Sequence, residues 1–199
     1  MSPGAGNQPR RPRRATMIVA ALASIALLLV SGLAVWRHQG GSGGDPVSDR
    51  SAVIAKVGGA VDAAGIHAAD CTERLVDLAG GAIADADLNA RLDQLETCGK
   101  TARALADAGY TALDAGAGLS ASPGRAAYLD AAGSLLSIYE MQGDDFDVIF
   151  DMLHLARETG APIAPLSADI TYILGNVAPD LTAGQQELDR ARKAYRKRG

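Results

Sequence analysis

From Ile54 onward the apolar residues fall on a seam: Ile54, Val57, Val61, Ala64, Ala68, Cys71, Leu75 and Leu78. Their spacing alternates three and four, which marks one face of a helix in a bundle. Gly80-Gly81 offers a stop, and Asp85 or Asp87 offers a cap for the next helix. A second seam with the same spacing carries Leu88, Leu92, Leu95, Cys98, Ala102, Leu105 and Leu113. Beyond a loop at 116–120, Ser122-Pro123 is a cap followed by proline at the first helical position. A helix is expected from there to Gln142, with Leu129, Ala132, Leu136 and Tyr139 inward. Gly143-Asp144-Asp145 either breaks it or is bridged. The next apolar set is Phe146, Ile149, Phe150, Leu153 and Ala156, closed by Gly160 with Pro162 and Pro165 beyond. Ser167 caps a short helix holding Ile170, Ile173, Leu174 and Val177, ended by Pro179. Thr182 with Gln185 makes a capping box for a last helix lined by Leu188, Ala191 and Tyr195. No stretch shows the period-two alternation of a strand, so the expected class is all-α.

The two cysteines set the register of the first two seams. If Cys71 faces Cys98, facing residue numbers sum to about 169, and the turn falls near residues 84 and 85, where the sequence independently places a loop. The same register sets Leu75 against Leu95, Leu78 against Leu92, Ala64 against Leu105 and Val57 against Leu113. An antiparallel hairpin stapled by a Cys71–Cys98 disulfide follows, with loop-closure entropy worth about 3.5 kcal/mol in the chain-entropy treatment. The alternative for these residues is a metal site of His67, Cys71 and Cys98; it lacks an obvious fourth ligand. Gly58, Gly59 and Gly65 weaken the first helix and mark either a bend or a place where another helix approaches closely.

Ahead of the bundle, Ala15 to Trp36 is an uninterrupted apolar run with no charge, preceded by Arg10, Arg11, Arg13 and Arg14. At about 1.5 Å per residue, Met17 to Trp36 is long enough to cross a hydrocarbon core of roughly 30 Å. Positive charge resists translocation, so the amino terminus is expected in the cytoplasm and everything after Arg37 outside it. The alternative is a cleaved signal peptide ending near Gly32-Leu33-Ala34. Thr16 stands where a twin-arginine export signal would carry an apolar residue, and no cysteine follows the run to make a lipoprotein. Ala20 and Ser24, four apart, would let two spans approach. The organisation is therefore a basic segment over 1–14, a transmembrane signal anchor over 15–36, a glycine-rich linker over 37–45, and a helical domain over 46–199 outside the cytoplasm.

Oxidising conditions there favour the disulfide. After residue 44 the chain holds 14 basic and 23 acidic residues, a net charge of −9, which disfavours nucleic acid as a partner. Aromatics make up 4%, too few for the usual walls of a small-molecule site, and no cofactor cradle is present in the sequence. The dominance of alanine, glycine, aspartate and arginine over lysine fits a GC-rich bacterial genome.

The stretch from Leu135 to Glu158 resembles a tetratricopeptide hairpin. Tyr139, Gly143-Asp144, Phe146 and Ala156-Arg157-Glu158 echo that family's spacing, with one extra residue at Asp145. The resemblance implies a surface for peptides or partner proteins, but such repeats need several stacked copies to bury a core. One copy is found, so two packed helices joined at a glycine turn are the expected form.

Three further groups invite chemistry. Asp144, Asp145, Asp147 and Asp151 cluster at an expected helix start, where the macrodipole favours carboxylates; the alternating ligands and closing glutamate of a calcium loop are missing. His154, one turn from Asp151 and from Glu158, has the look of a carboxylate-oriented base and equally of a surface histidine pairing with its neighbours. Thr97 and Lys100 mimic a nucleophile-x-x-lysine spacing without its companion motifs. Against these, Arg190, Arg192, Lys193, Arg196, Lys197 and Arg198 put six cations in the last ten residues, while residues 45–186 carry a net −13. That end either docks on the acidic body, touches anionic lipid or cell-wall phosphate, or simply complements a helix end. The expected function is non-catalytic: an anchored bacterial envelope module presenting a helical surface to an envelope protein. The alternative is a ligand-binding sensor bundle, or a secreted helical protein after cleavage.

Overall fold

A computed structural model describes residues 49–80, 85–117 and 122–198. They form α1 (Asp49–Ala79), α2 (Asp85–Leu95), α3 (Cys98–Ala117), α4 (Pro123–Thr159), a 3-10 turn at Ala164–Leu166 and α5 (Ser167–Arg198), with no strand among them. The expected span over 15–36 and the linker over 37–45 lie outside the described residues.

The four long helices α1, α3, α4 and α5 pack antiparallel to their chain neighbours, an up-down-up-down bundle. One end, here called proximal, gathers the start of α1, the end of α3, the start of α4 and the end of α5. There Val53, Leu129 and Gly116 touch, and Tyr128 stacks on Tyr195 with ring centroids 6.1 Å apart. The distal end gathers Leu78, Leu92, Leu153, Ile170 and Leu174 in a second apolar cluster, with α2 laid across it. The first seam is buried from Val57 to Leu78, with Ile54 partly covered at its proximal end. The two members of each register pair fall in the same apolar cluster. Val57 and Ala64 share the proximal cluster with Leu105 and Leu113, and Leu75 and Leu78 share the distal one with Leu92 and Leu95.

The structure corrects the sequence reading at three places. The second seam is two helices, since the backbone ladder lapses at Glu96-Thr97 and restarts where the Thr97 carbonyl accepts from Thr101 N. This break sits beside Cys98 and frees α2 to fold over the distal end while α3 runs on along α1. Second, α4 is continuous for 37 residues, so there is neither a tetratricopeptide hairpin nor a glycine turn at Gly143. Gly143 is a crossing point instead. A methyl group there would stand 3.2 Å from the Gly99 carbonyl oxygen and 3.1 Å from Ala102 Cβ. A methyl on Gly99 would overlap the Asp147 carboxylate and lie 2.6 Å from the Gly143 carbonyl. Two glycines let the α3 and α4 backbones touch, and the apolar face of α4 continues through the contact.

Third, α5 is also continuous, with Pro179 inside it. The proline removes one hydrogen bond and crowds the carbonyl of Gly175, but Val177 and Leu181 on either side are buried and hold the turn in place. Thr182 caps nothing; its hydroxyl donates back to the Ala178 carbonyl at 2.9 Å. Ser167 caps nothing either, since it is already helical at φ −55° and ψ −37°, but two of the expected signals at the ends of α4 are present. Ser122 Oγ accepts from Arg125 N ahead of Pro123, and Gly160 ends α4 at φ 65°, a conformation that glycine adopts without strain.

Among the described residues, one helix, Ala52–Ala79, is long and apolar enough to cross a membrane by length and hydropathy. Its apolar stripe is committed to the bundle core, and its outer face carries Lys56, Asp70, Glu73 and Asp77.

Candidate functional site

Cys71 and Cys98 form the expected disulfide between α1 and α3, with Cα atoms 6.0 Å apart. His67, one turn before Cys71, points its Nε2 at the Cys98 carbonyl oxygen at 2.9 Å. A carbonyl only accepts, so Nε2 carries the proton and donates; the same atom lies 3.6 Å from Cys71 Sγ. The three side chains do converge within 4.8 Å. Their donor chemistry is nonetheless that of a capped staple, because metal binding needs thiolate sulfurs and an imidazole lone pair facing the ion.

The acidic cluster does not sit at a helix start. Asp144, Asp145, Asp147 and Asp151 lie mid-way along α4, so the macrodipole cannot be what holds them. Arg103 on α3 spans two of them, at 3.0 Å from Asp144 and 2.6 Å from Asp147, directly over the Gly99–Gly143 crossing. Burial and the neighbouring Asp144 push the Asp145 carboxyl above its ordinary range. His154 has Glu158 as its carboxylate partner, Nε2 to Oε1 at 3.2 Å. Arg157 only donates, so Nδ1, 2.7 Å from its guanidinium, accepts, and both ring nitrogens are engaged. The ring also stacks on Phe150, with centroids 5.7 Å apart. Thr97 and Lys100 are both exposed.

At the proximal end the tyrosines define the interface of α1, α4 and α5. Gly58 and Gly65 are where another helix approaches: added methyls would stand 3.1 Å from the Tyr128 hydroxyl and 2.7 Å from the Tyr139 hydroxyl. Gly59 meets nothing and faces solvent. Tyr139 accepts from Gln185 on α5 at 3.5 Å. Between these phenols, Asp62 on α1 has one buried oxygen that accepts no hydrogen bond from the protein, 3.8 Å from Arg192 on α5. That separation is a charge contact rather than a hydrogen bond. Burial therefore prevails, and the Asp62 carboxyl is raised to about 6 despite the opposing pull of Arg192.

Among the terminal cations, Arg192 faces the acidic body at Asp62. Arg190, Lys193, Arg196 and Lys197 are exposed. Their helical angles place the four within an arc of about 120°, opposite Tyr195 and bordered by Arg192.

One set was missed in the sequence. Met141, Val148 and Leu155 on α4 are 49%, 50% and 60% exposed, and each is seven residues from the next. Seven residues bring a helix back to nearly the same direction, so the three form a stripe. Each is followed three residues later by an acid: Asp144, Asp151 and Glu158. The heptad is present in the sequence, but it makes one stripe only because α4 is continuous through Gly143. No family model matches the chain, and neither the curated proteins nor the solved structures contain a significant match.

Proposed function

We propose that the chain is a membrane-anchored helical protein whose domain stands outside the cytoplasm and engages a partner protein through the distal half of α4. The observation that carries this reading is the stripe of Met141, Val148 and Leu155 flanked by Asp144, Asp151 and Glu158. An exposed apolar row at heptad spacing is the surface that a second helix packs on, and the acid row sets its chemistry. The fitting partner is an amphipathic helix with apolar residues at the same spacing and lysine or arginine beside them. Anchoring rests on the uncharged run over 15–36 and the four arginines before it. The role is read as non-catalytic. Both nitrogens of His154 are engaged in pairing, the acidic cluster is clasped by Arg103, and His67 donates to a backbone carbonyl.

A photo-crosslinking residue placed in turn at Met141, Val148, Leu155 and the control position Lys100, in full-length protein in native membranes, tests the surface. The expected outcome is one product shared by the three stripe positions, absent at Lys100 and lost with Val148→Asp elsewhere in the stripe. Equal labelling at all four positions would sink the reading. Intact mass of the native protein tests the anchor: a full-length species in the membrane fraction supports it, and a soluble species beginning near Val35 makes the protein a secreted one.

A further inference from the structure

The cationic face of α5 and the first turn of α1 share one end of the bundle. Tyr195 stacks on Tyr128 at the start of α4, Gly124 lies under the Tyr195 backbone, and both belong to the cluster that takes in Val53 and Ile54 from α1. The chain reaches that end from the expected span through residues 37–48, twelve residues of glycine-rich sequence. Twelve residues span at most about 40 Å whatever their conformation. Any anchor at 15–36 therefore holds Arg190, Lys193, Arg196 and Lys197 near the lipid surface at a high effective concentration.

We propose that this face, Arg190, Lys193, Arg196 and Lys197, docks on anionic phospholipid headgroups of the bilayer that holds the chain's own anchor. The inference rests on the anchoring reading above. Charge selects the orientation. Residues 45–186 carry a net −13, so an anionic surface repels the body of the domain as a whole and attracts this face. Exposed lysines and arginines reach phosphate oxygens without losing a packing contact, whereas Arg192, which faces Asp62, is not part of the face. Docking sets the bundle upright. The α4 stripe then lies in the half farther from the membrane, where a partner has access to it.

The test uses the full chain reconstituted into vesicles of phosphatidylcholine alone or mixed with phosphatidylglycerol, treated with a membrane-impermeant amine-acylating reagent. Labelling at Lys193 and Lys197 is measured against Lys100, which is exposed on α3. The expected result is labelling of the two α5 lysines slowed about fivefold or more in the anionic vesicles, with Lys100 unchanged. The protection is expected to vanish at about 1 M salt, where the screening length is only about 3 Å. Arg190→Gln with Arg196→Gln, both at exposed positions, should weaken it at low salt. Equal labelling in the two vesicle types, with the chain still floating with lipid after an alkaline wash, would overturn docking and leave the anchor intact. A chain released by that wash overturns the anchor and docking together. Equal protection from soluble polyphosphate added to neutral vesicles would overturn the assignment to lipid.

Discussion

The two halves of the bundle are built on different principles. In the proximal half α1 and α4 present small residues, Val57, Val61, Ala64, Ala68, Ala131 and Ala132, beside leucines of α4 and α5, and the bundle closes around phenol rings whose tips rest on glycines of α1. Helices that approach so closely leave little depth, so polar groups such as Asp62 and Arg192 reach into the interface. The distal half is filled by leucine, isoleucine and phenylalanine and carries the disulfide and the Gly99–Gly143 crossing. Its side chains supply apolar area, while its short helix α2 needs help to stay in place. The difference teaches that the staple lies where the chain changes direction most, and that the proximal half depends on shape and charge.

The largest expected effect comes from removing the staple. Cys71→Ser with Cys98→Ser should cost about 3.5 kcal/mol by releasing loop-closure entropy into the unfolded chain. A chemical denaturation midpoint checks the magnitude, and residue-resolved hydrogen exchange checks the comparison. Amides of α2 and the first turns of α3 should lose more protection than those at the start of α4. Uniform loss along the chain would show that the two halves unfold as one unit and that the staple is not local in its action.

Next in size is Gly99→Ala. The methyl group would strike both the Asp147 carboxylate and the Gly143 carbonyl. Side-chain rotation relieves the first clash, but only separation of α3 from α4 relieves the second. Overpacking of this kind typically costs about 1–3 kcal/mol, against a fraction of a kcal/mol gained from helix propensity. Gly59→Ala, at an exposed position that meets nothing, should instead stabilise by up to about 1 kcal/mol. Thermal melts of the two variants should therefore shift in opposite directions.

These glycines show how much was legible in the sequence. The helical class, the inward faces, the cysteine pairing and the caps at Ser122 and Gly160 are all local or periodic signals, and each is realised. The sequence misled wherever a residue's usual local meaning yielded to packing. Gly143 and Pro179 read as punctuation but lie inside continuous helices, because Phe146, Ile149, Leu181 and Leu188 keep their apolar faces in register across them. Glu96-Thr97 carries no glycine or proline, yet the ladder breaks there beside the disulfide. The α4 stripe depended on knowing that α4 is one helix, and the proximal position of the basic end on knowing the topology. Neither is visible in residue spacing alone.

The halves meet at a polar layer, where Gln142 Nε2 donates to Thr72 Oγ1 at 3.1 Å and Thr72 donates to the Ala68 carbonyl at 2.8 Å. Both side chains are buried, and no protein donor reaches Gln142 Oε1 among the described residues. An unmatched buried acceptor costs more than a single neutral hydrogen bond returns. Gln142→Met keeps the length and shape of the side chain, removes that acceptor, and leaves Thr72 bonded to Ala68. It should stabilise by about 1 kcal/mol, read as a higher denaturation midpoint. A lower midpoint would mean that the layer contributes net stability and locks the two halves in register.

The smallest effect is the most diagnostic of the proximal half, because it depends on pH. Burial raises the Asp62 carboxyl from 3.8 to about 6, so the folded state binds the proton more tightly than the unfolded one. Linkage then gives the sign: this group's contribution favours folding below pH 3.8 and is progressively lost as pH rises to about 6. Asp62→Asn mimics the protonated form at every pH. Its gain over the parent should be near zero at pH 4 and grow to a plateau above pH 6. The carboxylate is about one-third exposed, so solvent screening keeps that plateau below about 1 kcal/mol. Melting curves of both proteins across this range decide the matter. A gain that is flat with pH would mean Asp62 is already well solvated, and a loss at neutral pH would mean that its attraction to Arg192 outweighs its burial. In the second case the proximal half would be held by charge pairing more than by the close fit of its helices.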